Sequence, residues 1–144
     1  MAMKTLSARG QMGAGTSIEV ECGSHRLVMD QSKNGGGQDL GPGPLSVLLA
    51  SLAGCFGSIG RMVARKRQVD LRGMQFALEA DYDPDGLLGL DPAVRAGFQE
   101  LRLQVEIDAD LDRPAKQALL EEIEKRCPVA DMLEYGTRLV TCLA

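Results

Sequence analysis

The sequence has no tryptophan and only one histidine, His25, with two tyrosines and three phenylalanines as the remaining aromatic rings. So few rings disfavour a surface that stacks on bases or sugars. A His-rich metal site is excluded, and the one imidazole sits beside a predicted hairpin turn, where it reads as a surface residue rather than a catalytic base. Basic excess is also missing. Sixteen Lys and Arg stand against twenty Asp and Glu, for a net charge of −4, so nothing is in surplus to neutralise phosphates, and nucleic acid is not the expected partner. No cysteine pair has the C-x-x-C spacing. Cys22, Cys55, Cys127 and Cys142 lie 33, 72 and 15 positions apart, which excludes a zinc ribbon and a thioredoxin-type motif. The N-terminal residues carry no apolar leader core. The longest uncharged run, Leu40 to Gly60, is too rich in Gly, Pro and Ser to read as a bilayer span. The expectation is a cytoplasmic protein without a membrane partner, in which four cysteines do not build a static disulfide framework.

What is present is enough to fold. Apolar residues make up 44% of 144 residues, and the mean hydropathy is −0.07. This is one domain's length with a real core, read here as a single domain over 1–144. Thr16 to Cys22 alternates, with Ile18, Val20 and Cys22 on one face, and His25 to Asp30 returns after Gly23-Ser24; together they predict a hairpin. Residues 31 to 44 form a loop with three consecutive glycines. Pro44 opens a helix expected to run to about Gln68. Its first half is apolar or small nearly all round, which predicts a helix buried on every side, and Gly54, Gly57 and Gly60 within it predict close packing. Met74 to Tyr82 and Leu101 to Ile107 alternate as two strands, joined by an exposed connection over Asp83–Gly97. Asp112 caps a second long helix that buries Leu119, Leu120 and Ile123 and keeps Glu121, Glu122 and Glu124 wet. Cys127-Pro128 ends it and starts a shorter one, and Arg138 to Cys142 reads as a closing strand.

The cysteines carry the candidate chemistry. From its helix alone Cys55 reads as a small packing hydrophobe. Cys127, before a helix-opening Pro, is either incidental to a helix junction or an activated thiol, because free backbone N–H groups at a helix start favour a thiolate. Cys22 and Cys142 have inward strand phase and read as packing residues.

Gly41-Pro42-Gly43-Pro44 followed by Leu48-Leu49-Ala50-Ser51-Leu52-Ala53-Gly54-Cys55 resembles the first signature of the OsmC/Ohr superfamily, and Cys127-Pro128-Val129 resembles its second. The order of elements is similar over nearly the whole chain. The resemblance implies an α+β fold with antiparallel sheets around two long central helices, assembled as an intertwined homodimer. It implies a two-cysteine, thiol-dependent peroxidase acting on organic hydroperoxides in the oxidative stress response. Cys55 would be the peroxidatic thiol and Cys127 the resolving thiol. A dithiol reductant of lipoyl type would reset the pair, without a metal or organic cofactor. Arg9 and Arg26 are the candidates for the family's thiolate-facing arginine, and Leu48, Leu52, Phe56 and Ile59 would form the apolar wall of the substrate pocket. The sequence departs from the peroxidatic pattern at Leu45 and Ser46, where those members carry a Glu; this points to the OsmC-like branch and leaves a non-catalytic or small-ligand-binding domain as the alternative.

Overall fold

Hydrophobic alternation on either side of a glycine turn builds the first sheet. The computed structural model describes Met1–Ala144, and the chain divides into two compact units, Met1–Ala50 and Ser51–Ala144. In the first unit β1 (Ala8–Met12), β2 (Ile18–Cys22) and β3 (His25–Met29) form an antiparallel sheet in that order. The β2–β3 hairpin is the one read from sequence. It closes with Cys22 opposite His25, around Gly23 at φ +62°, a conformation open to glycine without a Cβ penalty. β1 was not expected: Ala8, Gly10 and Met12 alternate with Arg9 and Gln11, but Ala and Gly are too small to read as an apolar face. It forms because β2 would otherwise leave an edge of unpaired backbone groups; Arg9 pairs with Glu21 and Gly10 with Val20.

The glycine-rich loop after β3 is held by one side chain. Asp30 is 2% exposed, and its carboxylate accepts from Thr16 Oγ1 at 2.6 Å and from the backbone N–H groups of Gln31, Gln38 and Leu40 at 2.8, 3.1 and 3.2 Å. The loop is tied back onto β3 by Asp30 N–H to the Pro42 carbonyl at 3.3 Å. Gly41 has to be glycine, because a Cβ there would strike the Val28 carbonyl.

The helix α1 runs Pro44–Lys66. By length and composition it could also cross a membrane, but one of its faces packs into the protein core. The expectation of burial on every side does not hold within the chain. Leu52, Phe56, Gly60, Val63 and Ala64 form one buried stripe, whereas Ser51, Gly54, Ser58 and Met62 are exposed. The buried stripe packs against Met74, Phe76 and Ile123 of the core cluster.

In the second unit β4 (Gly73–Asp81) and β5 (Glu100–Asp108) pair antiparallel, Phe76 opposite Val105 and Leu78 opposite Leu103. Their inward residues alternate as read from sequence. The outer face is polar, with Arg102 bridging Asp81 at 2.6 Å and Glu100 at 2.7 Å. Between them the exposed connection holds a single turn of helix, α2 (Pro84–Leu87). Then come α3 (Arg113–Arg126) and α4 (Pro128–Tyr135). Asp112 caps α3 by accepting from Ala115 N–H at 2.9 Å. Leu119 and Ile123 are fully buried against Val63 and Leu71 of the same core cluster. Gly60 is the closely packed glycine of α1: a Cβ there would sit 2.6 Å from Met74 Sδ and 3.4 Å from Ile123 Cδ1. Gly54 faces open space, so its place in the helix has no packing reason within the chain. The closing strand expected over Arg138–Cys142 is not formed. Residues 137–144 belong to neither sheet, and Leu139 and Val140 are exposed. A strand exists only with a hydrogen-bonding neighbour, and the tail pairs with no strand of either sheet.

Candidate active site

Local chain chemistry fixes both thiols. Cys55 lies in the middle of α1, half-buried, and packs against the core cluster that contains Cys127. Cys127 stands between α3 and α4. Pro128 bars it from helical geometry, and it takes φ −79°, ψ 110°. Its N–H closes α3 on the Glu124 carbonyl at 3.1 Å, and its carbonyl accepts the Asp131 N–H at 3.0 Å. Its sulfur caps α4, accepting from Ala130 N–H at 3.5 Å. The side chain is fully buried. Both cysteines are free thiols.

Helix-start placement predicts a lowered pKa for Cys127, and the structure reverses the sign. Burial pushes the thiol up, and the neighbouring Cys55 thiol adds to this; the N–H groups of Ala130 and Val129 pull the other way without prevailing. The physical reason is twofold. A charge without solvent pays for desolvation first. The Cys55 thiol beside it is the second cause, since a hydrogen bond between the two thiols favours the protonated form. Burial and the neighbouring Cys55 thus both favour the protonated form of Cys127.

Helix α1, which carries Cys55, and helices α3 and α4, which Cys127 joins, wall with β5 a cavity of about 310 Å³ that neither cysteine lines. Leu52 and Phe56 of α1, Leu101, Leu103 and Val105 of β5, Leu120 of α3, and Ala130 and Leu133 of α4 line it, and two carboxylates, Glu124 and Glu134, complete the lining. Of the four apolar wall residues named from sequence, Leu52 and Phe56 line this cavity. Ile59 packs against the core, and Leu48 is half-buried in the first unit. Glu124, read from sequence as part of a solvated face, lines the cavity as well, because Cys127 ends α3 one turn after it.

The remaining candidates lie elsewhere. Arg9 and Arg26 are on the charged face of the first sheet, where with Gly10, Gln11, Glu19 and Glu21 they line a shallow polar depression of about 350 Å³. Arg26 is ion-paired with Glu19, which lies diagonally across the hairpin. Cys22 and Cys142 are both exposed, not packed as strand phase suggested: Cys22 ends its strand at the turn, and Cys142 lies in the unpaired tail. His25 is exposed, as read. Sequence reasoning missed Asp30. The available signal was an Asp between a strand and a run of turn residues, the usual setting for a carboxylate that gathers backbone N–H groups. Those bonds, Thr16 first, hold its carboxyl below the ordinary range.

A family model described as OsmC-like protein matches residues 35–141. No curated protein matches the sequence. Among solved structures, an OsmC-like protein from Mycoplasma pneumoniae superposes with a TM-score of 0.79 at 18% identity, covering 91% of this chain and 88% of that chain. An organic hydroperoxide resistance protein OsmC from Legionella pneumophila gives 0.69 at 22%, covering 92% and 91%. A putative organic hydroperoxide resistance protein from Vibrio cholerae, with captopril bound in one of its active sites, gives 0.63 at 19%, covering 92% and 86%. At these identities the likeness shows the α+β fold with its antiparallel sheets.

Proposed function

The chain belongs to the OsmC-like protein family, and from that premise we propose that it is a two-cysteine, thiol-dependent redox protein that reduces organic hydroperoxides. The observation that carries this reading is the packing of Cys55 against the core cluster that holds the buried Cys127, with a largely apolar cavity formed by the flanking helices and bordered by two carboxylates. In the proposed cycle the Cys55 thiolate attacks the outer oxygen of ROOH. The O–O bond breaks, ROH leaves, and Cys55 becomes a sulfenic acid. Cys127 then attacks that sulfur, an S–S bond forms and water departs. An external dithiol of lipoyl type would take up the disulfide and return both thiols, so the cycle calls on no metal or organic cofactor.

The cavity argues for bulky substrates. If an alkyl group buries about 100 Å² there, it gains about 2.5 kcal/mol over hydrogen peroxide. The working form is proposed to be a cytoplasmic homodimer with residues 1–144 acting as one domain. The exposed Ser51, Gly54 and Ser58 face of α1 and the unpaired apolar tail fit cover by a second copy. Leu45, where peroxidatic relatives carry a Glu, favours one alternative, a non-catalytic domain that binds a small apolar ligand in the same cavity. The deciding assay compares consumption of cumene hydroperoxide and hydrogen peroxide with dithiothreitol or dihydrolipoamide as reductant. The proposal expects kcat/KM at least about tenfold higher for cumene hydroperoxide. Equal or better turnover of hydrogen peroxide would contradict it, and no turnover of either leaves the binding domain.

A further inference from the structure

We propose that a groove between α3 and β5 binds an extended, largely apolar peptide of about five residues, its N-terminal ammonium on Glu124 and Glu134 and its C-terminal carboxylate on Arg113 and Lys116. The inference goes beyond the redox reading and rests on neither cysteine. The cavity bordered by α4 adjoins a second one of about 310 Å³, over Ile107, Leu111, Arg113 and Lys116. The two share Val105 and Leu120 in their linings, so they form one groove, with α3 along one wall and β5 along the other. Its apolar walls are incompletely covered, since Leu101, Leu103, Val105 and Leu120 are all half-buried. Charge of one sign stands at each end: two carboxylates at the α4 end and two cations at the start of α3. None of the four is ion-paired within the chain.

The stability of α3 does not account for these charges. Arg113 and Lys116 lie in its first turn and Glu124 in its last, each where the helix dipole favours the opposite sign. Their separation sets the length of the occupant. Lys116 and Arg113 precede Glu124 by eight and eleven residues, about 12–17 Å of helix, and five extended residues span about 17 Å. The strand wall favours a peptide over an alkyl chain with the same two end charges. β5 pairs with β4 alone, so the N–H and C=O groups along its other edge have no strand partner. A peptide pairs with such an edge and sets alternate side chains among those of the strand it joins; an alkyl chain would match the walls and leave the edge unpaired. Leu101 and Leu103 line the acidic end and Ile107 the basic end, so the peptide runs in the same direction as β5.

The probe is the peptide Leu-Ser-Leu-Ser-Leu with free termini, titrated into the whole reduced chain at neutral pH by isothermal titration calorimetry. The same peptide is titrated acetylated at its N-terminus, amidated at its C-terminus, and with both ends blocked. Blocking one end should weaken binding about threefold and blocking both about tenfold, the range of exposed charge pairs, and both losses should shrink as salt is raised. Arg113→Gln with Lys116→Gln should abolish the loss caused by amidation and keep the loss caused by acetylation. Glu124→Gln with Glu134→Gln should do the converse. The blocked peptides test the same ends on the unaltered protein should a variant misfold. No binding at millimolar peptide, or equal affinity for the free and doubly blocked peptides, would overturn the inference. Tighter binding of 12-aminododecanoic acid than of the peptide would overturn it by assigning the groove to an amphiphile. Affinity that falls as protein concentration rises would overturn it by assigning the groove to a second copy of the chain. Peroxide turnover is not a readout, so failure of the redox reading leaves this test standing.

Discussion

The same substitution at two glycines three positions apart in α1 should have opposite effects. Gly57→Ala places a methyl 3.6 Å from Phe76 Cζ, an ordinary contact. It should collect the helix-propensity difference between Gly and Ala, about 1 kcal/mol. Gly60→Ala collects the same gain but drives its methyl to 2.6 Å from Met74 Sδ and 3.4 Å from Ile123 Cδ1. Overpacking of that kind costs about 1–3 kcal/mol. The flexible thioether relieves part of it, but Met74 Cε at 3.3 Å and the fully buried Ile123 at 3.4 Å leave it little room to swing away. The net for Gly60→Ala is a loss of about 1 kcal/mol, so the two variants should differ by about 2 kcal/mol. For a chain of this length that is about 6 °C in Tm. Urea and thermal melts at one matched protein concentration read both numbers. Equal shifts of the same sign would show that close approach at Gly60 is not what fixes α1 against β4 and α3.

Asp30→Asn should destabilise the first sheet and its loop at neutral pH, and the deficit should shrink in acid. A carboxyl held below its ordinary pKa contributes fully above the unfolded value of about 3.9 and loses that contribution as pH falls through the folded value; a deficit that is constant from pH 7 to 3 would refute its role. Glu124→Gln with Glu134→Gln should raise the ratio of kcat/KM for a carboxylate-bearing hydroperoxide to that for cumene hydroperoxide severalfold, with the gain fading as salt screens these exposed charges; an unchanged ratio would place the substrate outside this cavity. Sedimentation at micromolar concentration should find a dimer, and a stable folded monomer would contradict the reading of the exposed α1 face.

Much of the fold could be read from periodicity because its strands and helices bury one face each. β4 and β5 alternate without interruption, and α3 is bracketed by Asp112 and Pro128. What escaped depends on neighbours. β1 alternates small with polar residues, too weakly apolar to stand out, and pairs along the free edge of β2. The apolar tail of 138–142 has the pattern and no partner within the chain. The composition of α1 led to an expectation of burial all round, yet burial depends on how many layers surround a helix. At the site, the two cysteines were legible from their motifs and the structure brings them together. The sign of the Cys127 shift was not, because helix-start chemistry is visible in the sequence whereas complete burial is a property of the packed state. Asp30 was missed for the opposite reason: its four hydrogen bonds are mostly to backbone groups, which leave no mark on residue types.

The most direct measurement is peptide mapping without reductant after treatment with stoichiometric cumene hydroperoxide, on wild type and on Cys55→Ser and Cys127→Ser. Cys55 and Cys127 should be recovered as one disulfide-linked peptide pair in the wild type. Cys55→Ser should abolish turnover, and Cys127→Ser should carry a sulfenic acid on Cys55 that then over-oxidises. A Cys22–Cys142 link in their place, or a Cys55 that stays reduced at millimolar organic peroxide, would contradict two-cysteine redox chemistry and leave the cavity as a binding site.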